Sequence, residues 1–327
     1  MVRALVTGGT GFVGAHVARA LAAAGHAPRV LRRKTSRMEA LEGLAGYETA
    51  VGDILDPESL DAAMDGCEWV FHVAAVSDYW RQDVDWLYHV NVEGTRQVLA
   101  AAKRAGVRRL VFTSSAAAVG PRDDGLPANE DDVFNLKPSA FPYAHSKFLA
   151  EIEVLKAVID GLDCVIVNPA VVIGPGDVYQ GSGSLVIEIA RRRVPAIPPG
   201  GVTLIDVRDV AAAHVAAAER GRTAERYLLG TVDLSHRAWM RLIADVVGVP
   251  PPLLRVPPWV VPIIGAAVDV ARALGMPVPA DGNQIRLSGR HVYFDCRKAW
   301  AELGEPQIEV RQSIQDTYDW YVAHGML

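Results

Sequence analysis

Tyr143 and Lys147 stand four residues apart in the run Tyr143-Ala144-His145-Ser146-Lys147, so a helix there places both on one face. A neighbouring ammonium favours the phenolate and brings a tyrosine toward the working range of an acid/base catalyst. Pro142 suits the first turn of such a helix. Upstream, Leu110-Val111-Phe112-Thr113 runs into Ser114-Ser115. A hydroxyl at the carboxyl end of a parallel strand sits where α/β sheets bind ligands. Either serine can also simply close a turn, and Tyr143 and Lys147 can decorate a surface helix.

Near the start, Gly8-Gly9-Thr10-Gly11-Phe12-Val13-Gly14 follows the apolar run Ala4-Leu5-Val6. Glycines at 8, 11 and 14 let the chain turn sharply from strand to helix, bring backbone close to a pyrophosphate, and pack the helix on its sheet. Amides at the helix start then face phosphate charge. The end of the next strand separates NAD from NADP: an acid there holds the ribose 2′-OH, whereas arginine accommodates a 2′-phosphate. Here Leu31 is followed by Arg32-Arg33-Lys34, with Arg37 just beyond. These residues predict NADP(H) in preference to NAD(H), with a solvated basic loop as the plain alternative. Asp53, in Gly52-Asp53-Ile54, either accepts from the adenine amino group or serves a turn.

These residues need elements to position them. The pattern predicts strands at 3–6, 29–31, 69–73, 109–113, 164–167 and 227–229, and helices at 13–24, 60–64, 86–103 and 143–159. Strands alternating with helices indicate an α/β fold, a Rossmann-type doubly wound parallel sheet covered on both faces. After residue 173, Gly174-Pro175-Gly176, Gly181-Ser182-Gly183 and Pro198-Pro199-Gly200-Gly201 break the rhythm. The segment 204–218 reads as a strand edge and an Ala-rich helix returning to the sheet. The expected division is 1–173 plus 202–231 for the nucleotide-binding body, and 174–201 plus 232–327 for a smaller C-terminal substrate-binding lobe.

Composition narrows the classes. The 327 residues carry 33 basic and 38 acidic side chains, a net charge of −5, without a nucleic-acid footprint. Three cysteines, Cys67, Cys164 and Cys296, are too few and too spread for a disulfide framework or a zinc site. No basic leader precedes the first apolar run, and no apolar stretch reaches the roughly 18 residues of a membrane span. A reduced, soluble, cytoplasmic protein without a metal is the expectation.

Together the glycine loop, Gly52-Asp53-Ile54, Phe71-His72-Val73-Ala74-Ala75, Asn91-Val92-Glu93-Gly94-Thr95, Thr113-Ser114-Ser115 and Tyr143-xxx-Lys147 resemble, in order and spacing, the extended short-chain dehydrogenases/reductases. Val165-Ile166-Val167-Asn168-Pro169 and the stretch 298–304 extend the likeness over nearly the whole chain. Within that family it is most similar to the dihydroflavonol-reductase-like branch, which includes bacterial hopanoid-associated proteins often labelled sugar epimerases. The resemblance implies roles. Tyr143 is the general acid/base, and Lys147 holds the nicotinamide ribose and depresses the Tyr143 pKa. Ser115, rather than Ser114, orients the substrate oxygen, and Asn91 braces the site. Phe12, Val13, Ile54, Ala74, Ala75 and Pro169 join the glycines along the cofactor.

The family contains reductases, epimerases and dehydratases. The acidic pair that marks sugar dehydratases is missing after Thr113. Val202 stands where nucleotide-sugar epimerases often carry an arginine for the diphosphate, although Arg191, Arg192, Arg193 or Arg208 can substitute. Ser77, Trp80, Phe141 and Tyr179 are the substrate-side candidates, suited to an apolar or aromatic carbonyl compound. The expected activity is therefore NADP(H)-dependent reduction of a ketone or aldehyde. Nucleotide-sugar epimerisation with bound NAD(P) is the alternative, and a non-catalytic NADP-binding sensor the alternative of another class. A homodimer through helices 86–103 and 143–159 is expected, with Leu87, Val90, Val98 and Leu99 as an apolar stripe on the first. The stretch 259–274 reads as a lobe helix, with a lipid-facing patch as the other reading.

Overall fold

A computed structural model of the chain describes residues 1–77, 83–276, 278 and 281–327. Strands β1 (Arg3–Thr7), β2 (Ala27–Arg32), β3 (Glu48–Val51), β4 (Trp69–His72), β5 (Arg109–Thr113) and β6 (Cys164–Pro169) precede three strands of the second half, β7 (Val171–Ile173), β8 (Ala196–Ile197) and β9 (Gly201–Asp206). Then come β10 (Arg226–Leu229), β11 (Val232–Ser235), β12 (Leu254–Arg255) and β13 (His291–Val292). The helices are α1 (Phe12–Ala23), α2 (Pro57–Met64), α3 (Val84–Tyr88), α4 (Gly94–Arg104), α5 (Pro142–Ile159), α6 (Ser184–Ala190) and α7 (Val207–Arg220). The C-terminal ones are α8 (His236–Val247), α9 (Val261–Ala273), α10 (Gly282–Ser288), α11 (Arg297–Leu303) and α12 (Val310–Ala323).

Seven parallel strands form the main sheet in the order β3-β2-β1-β4-β5-β6-β10. The order reverses between β1 and β4, which opens a crevice at the carboxyl ends of the strands. Central strands are covered on both faces, so they read as unbroken apolar runs rather than alternating ones. On one face Val6, Phe71 and Val167 pack with Val17 and Leu21 of α1 and Val210 and Ala211 of α7. On the other, Leu5, Val70 and Leu110 pack with Leu60 of α2, Val98 of α4 and Val154 of α5.

The second sheet is built on β9, with β11 antiparallel on one edge and β7 and β13 parallel along the other. This corrects the expectation for 204–218. Helix α7 does pack on the main sheet, but the strand before it does not join that sheet, because β7, β11 and β13 supply its partners. Residues 171–173 and 202–206, expected within the first body, thus belong to the second sheet. A third core fills it, with Ile173, Leu204, Trp239, Ile243 and Ile314.

The helix expected at 86–103 is interrupted. Helices α3 and α4 are joined through a π-turn at His89–Glu93, which inserts one extra residue per turn at Asn91. Among the described residues, no helix is long and apolar enough to cross a membrane.

Candidate active site

The glycine loop leads from β1 into α1 against the end of β4. Gly8 has φ +68°, and a Cβ on it would lie 2.7 Å from the Ala74 amide nitrogen. A Cβ on Gly14 would run into the Gly8 carbonyl. Gly11 caps α1 without any side-chain bond, so the first-turn amides keep no side-chain acceptor of their own. Phe12 and Val13 open that helix, half-buried. Ala74 is half-buried and Ala75 exposed beside the loop. Bare backbone that tolerates no Cβ, with open amides at a helix start, fits a dinucleotide pyrophosphate.

A buried chain locks this corner. Thr7 Oγ1 lies 2.8 Å from His72 Nδ1, and His72 Nε2 lies 3.0 Å from Thr95 Oγ1. Thr95 donates to the Asn91 carbonyl at 2.7 Å, and Thr7 Oγ1 accepts from the Ala74 amide at 3.2 Å. Thr95 therefore accepts from His72, which places the ring proton on Nε2. Burial, aided by the Lys147 charge, pushes the His72 pKa down to about 3, so the ring is neutral. No local pattern points to this hydrogen-bonded relay, since its members lie far apart in sequence.

At the end of β2, Arg32 is half-buried and Arg33 exposed, and neither side chain has a carboxylate partner among the described residues. Arg37 is exposed and paired with Glu39 at 3.0 Å. Asp53 accepts from the Leu55 amide at 3.0 Å, a turn bond. Ile54 is buried, so close to Gly94 that a Cβ there would meet it at 2.7 Å.

Helix α5 starts at Pro142 and carries Tyr143 and Lys147 toward the end of β5. Lys147 is buried; its Nζ donates to the Thr113 carbonyl at 2.6 Å and lies 4.7 Å from the Phe112 ring centroid. Burial pushes its pKa down to about 8, with the Glu151 carboxylate pulling it back up. Tyr143 stands beside the Ser115 hydroxyl. Burial raises the Tyr143 pKa and the Ser115 hydroxyl opposes this, so the expected depression by Lys147 is not found. Desolvation outweighs a lysine whose ammonium is turned to a backbone carbonyl.

The two serines divide. Ser115 is half-buried beside Tyr143, whereas Ser114 points into the core and donates to Glu151 Oε1 at 2.5 Å. Asn168 Nδ2 donates to the same oxygen at 2.6 Å and to the Ser115 carbonyl at 3.0 Å. Arg226 of β10 pairs with Glu151 Oε2 at 3.3 Å. This Glu151 node was missed by sequence reading, although Glu151 sits one further helical turn beyond Lys147. Pro169 closes β6, buried opposite Leu229 of β10.

Asn91 points from the π-turn into the site. It accepts from the Val76 amide at 2.8 Å and donates to the Val76 carbonyl and to Ser146 Oγ, each at 2.9 Å.

On the substrate side, Phe141 is half-buried at the start of α5, Ser77 is exposed, and Tyr179 is 52% exposed. Trp80 lies outside the described residues. Val202 packs against the third core rather than lining the crevice. Arg208 is held by Asp206 at 2.8 Å and Asp316 at 2.7 Å. The stripe assigned to an interface needs correction: Leu87, Val98 and Leu99 are buried in the protein's own core, with Val90 packed against that core. On these helices Val84, Trp86, Leu155 and Ile159 are the exposed large apolar residues.

Residues 4–230 match the model of the NAD dependent epimerase/dehydratase family. A Synechocystis protein provisionally named dihydroflavonol 4-reductase is 41% identical, covering 98% of this chain and 94% of its own. Sterol demethylase protein B of Methylococcus capsulatus is 34% identical over 99% of both. Among solved structures, gox2253 superposes with a TM-score of 0.88 at 35% identity, covering 100% of this chain and 99% of the other.

Proposed function

We propose, on the premise that this chain belongs to the NAD dependent epimerase/dehydratase family, that it is an NADP(H)-dependent reductase of a ketone or aldehyde on an apolar or aromatic small molecule. The observation that carries the reading is the meeting of Tyr143, Ser115 and Lys147 at the carboxyl end of β5, across the crevice from the glycine loop.

A bound dihydronicotinamide supplies the hydride that reaches the carbonyl carbon. The chain's own residues handle the proton. A raised pKa keeps Tyr143 protonated at neutral pH, so its oxygen can hand a proton to the carbonyl oxygen as charge develops there. Ser115 orients that oxygen, and Lys147 brings positive charge beneath the same strand end. Arg32 and Arg33, uncommitted to any described carboxylate, support recognition of a 2′-phosphate.

Apolar substrate preference is supported by Val202 and Arg208. A sugar nucleotide brings two phosphate charges that need paired cations. Val202 is packed into the second body, and Arg208 is already committed to two carboxylates. The relatives' names, a dihydroflavonol reductase and a sterol demethylase, lean the same way. Homodimerisation through helices α3–α4 and α5 rests on Trp86, Leu155 and Ile159 instead of the buried stripe; light scattering at micromolar concentration tests it.

The deciding experiment incubates the protein with NADPH and a panel of aryl and alkyl aldehydes and ketones, and titrates it in parallel with UDP- and GDP-sugars. Stoichiometric loss of NADPH absorbance with a carbonyl compound is expected. Micromolar sugar-nucleotide binding with epimer interconversion and no net NADPH loss overturns the reading in favour of an epimerase. Bound NADPH with no turnover of any panel member favours the sensor.

A further inference from the structure

Helix α9 is built the wrong way round for a helix that serves only its own fold. An amphipathic helix normally turns its apolar stripe inward. Within α9 only Val261 and Gly265 are buried. Its inner side meets α10 through Gly265, where a Cβ would lie 2.9 Å from the Gly282 carbonyl, and through Asp269, paired with Arg286 at 2.6 Å. The outer side carries Ile263 at 58% exposure, Val270 at 59% and, just past the helix end, Leu274 at 74%. Trp259, one turn before Ile263, is 72% exposed. At 100° per residue, Trp259, Ile263, Val270 and Leu274 fall within one narrow arc.

Cations flank the start of this strip. Arg237 and Arg255 line one shallow cleft with Pro199, Pro257 and Pro258, next to Trp259. Arg241 is close enough to join Arg255 in disfavouring the Arg237 charge, after the effect of burial. None of the three arginines has a carboxylate partner among the described residues. Three like charges gathered without a counter-ion among the described residues, on a chain of net charge −5, are a local feature and not a reflection of overall charge.

We propose that the outer face of α9, with Arg237, Arg241 and Arg255 beside it, docks the protein on an anionic lipid bilayer. The arginines meet the headgroups, Trp259 sits at the interfacial level where its amphipathic ring is favoured, and Ile263, Val270 and Leu274 enter the acyl boundary. The helix lies in the plane of the surface and does not cross it, in keeping with its length.

Flotation of the full-length protein with phosphatidylcholine vesicles, with and without about a third phosphatidylglycerol, tests this. Binding to the anionic vesicles, weakened by salt, is expected. Arg237→Glu with Arg255→Glu, and separately Ile263→Asp with Val270→Asp, should each reduce binding about tenfold or more while circular dichroism and NADPH affinity stay unchanged. Failure of the unmutated protein to float, or binding indifferent to both variant pairs, overturns the proposal. So does a vesicle-inert protein whose oligomer mass falls in the Ile263→Asp/Val270→Asp variant, which assigns the face to a second copy. Since the readout is binding, it stands or falls independently of the reductase assignment.

Discussion

Asn91 donates to Ser146 Oγ at 2.9 Å, which ties the π-turn between α3 and α4 to the residue of α5 that directly precedes Lys147. Ser146 passes the bond on to the Tyr143 carbonyl at 2.7 Å. The first turn of α5 is thereby held from a neighbouring helix as well as by its own ladder. Asn91→Ala strips both strands of that tie and leaves the Val76 amide and carbonyl unpaired. A loss of about 1–3 kcal/mol in urea unfolding is expected, together with a lowered kcat. Unchanged stability and turnover would remove Asn91 from the site.

Tyr143→Phe keeps the ring and removes the oxygen that moves the proton. Turnover should fall by about 10²–10⁴ while NADPH affinity stays near normal. Lys147→Ala should instead reduce both, since Lys147 supports the strand end where the cofactor is expected. Retention of more than about a tenth of the activity in Tyr143→Phe contradicts the acid/base role.

Arg33→Ala should weaken NADPH binding about tenfold or more and leave NADH nearly untouched, the loss of one charge-assisted contact to the 2′-phosphate. Fluorescence titration with both cofactors checks it. Equal or tighter NADH binding by the unmutated protein sinks the NADP preference.

Glu151→Gln leaves Arg226 facing a neutral amide in a buried site, 3.3 Å from where the carboxylate stood. A cost of about 3 kcal/mol is expected in urea unfolding. The Glu151 charge holds the Lys147 pKa up, so its removal should lower that pKa below about 8 and move the alkaline limb of the rate profile to lower pH. An alkaline limb that does not move separates Glu151 from Lys147.

His72 and His214 are buried and neutral, with pKa values pushed down by burial to about 3 and about 4. His214 is set between Thr113 Oγ1 at 2.8 Å and the Val210 carbonyl at 2.7 Å. The unfolded chain takes up these protons near pH 6.5 while the folded one does not, so stability is full above pH 6.5 and falls as pH drops. At pH 5 each histidine should have cost about 2 kcal/mol. Urea midpoints measured from pH 7 to 5 check the slope, and a flat profile is the contrary outcome.

What the sequence made legible was what lies close along the chain. The Gly8–Gly14 spacing, the four-residue step from Tyr143 to Lys147 and the apolar strand runs are local patterns with local causes. Partners chosen across the fold left no such trace. Thr7, His72 and Thr95 come from three segments, and each reads alone as an ordinary polar residue. The apolar pair Leu204-Ile205 announces a strand edge but not which sheet takes it. Likewise, the period of Leu87, Val98 and Leu99 shows an apolar face without saying that the protein's own core covers it. The Tyr143 pKa ran against expectation because proximity in sequence does not fix where an ammonium points.

The second sheet has a consequence for synthesis. The main sheet is complete once β10 has left the ribosome, yet β9 keeps part of an edge bare until His291 and Val292 arrive. The same late segment reaches back to the first half, where the Ala128 amide donates to the Tyr293 carbonyl and the Asp295 amide to the Ala128 carbonyl, each at 2.8 Å. A nascent chain thus passes through a stage with every main-sheet strand paired but α11 not yet packed on that sheet and the second sheet unfinished, and a premature stop codon after residue 229 freezes it there. Unpaired strand edge is what chaperones and proteases meet first. Truncated products should therefore aggregate or be cleared, since both the β9 edge and the face that Ala299 and Leu303 cover stay bare.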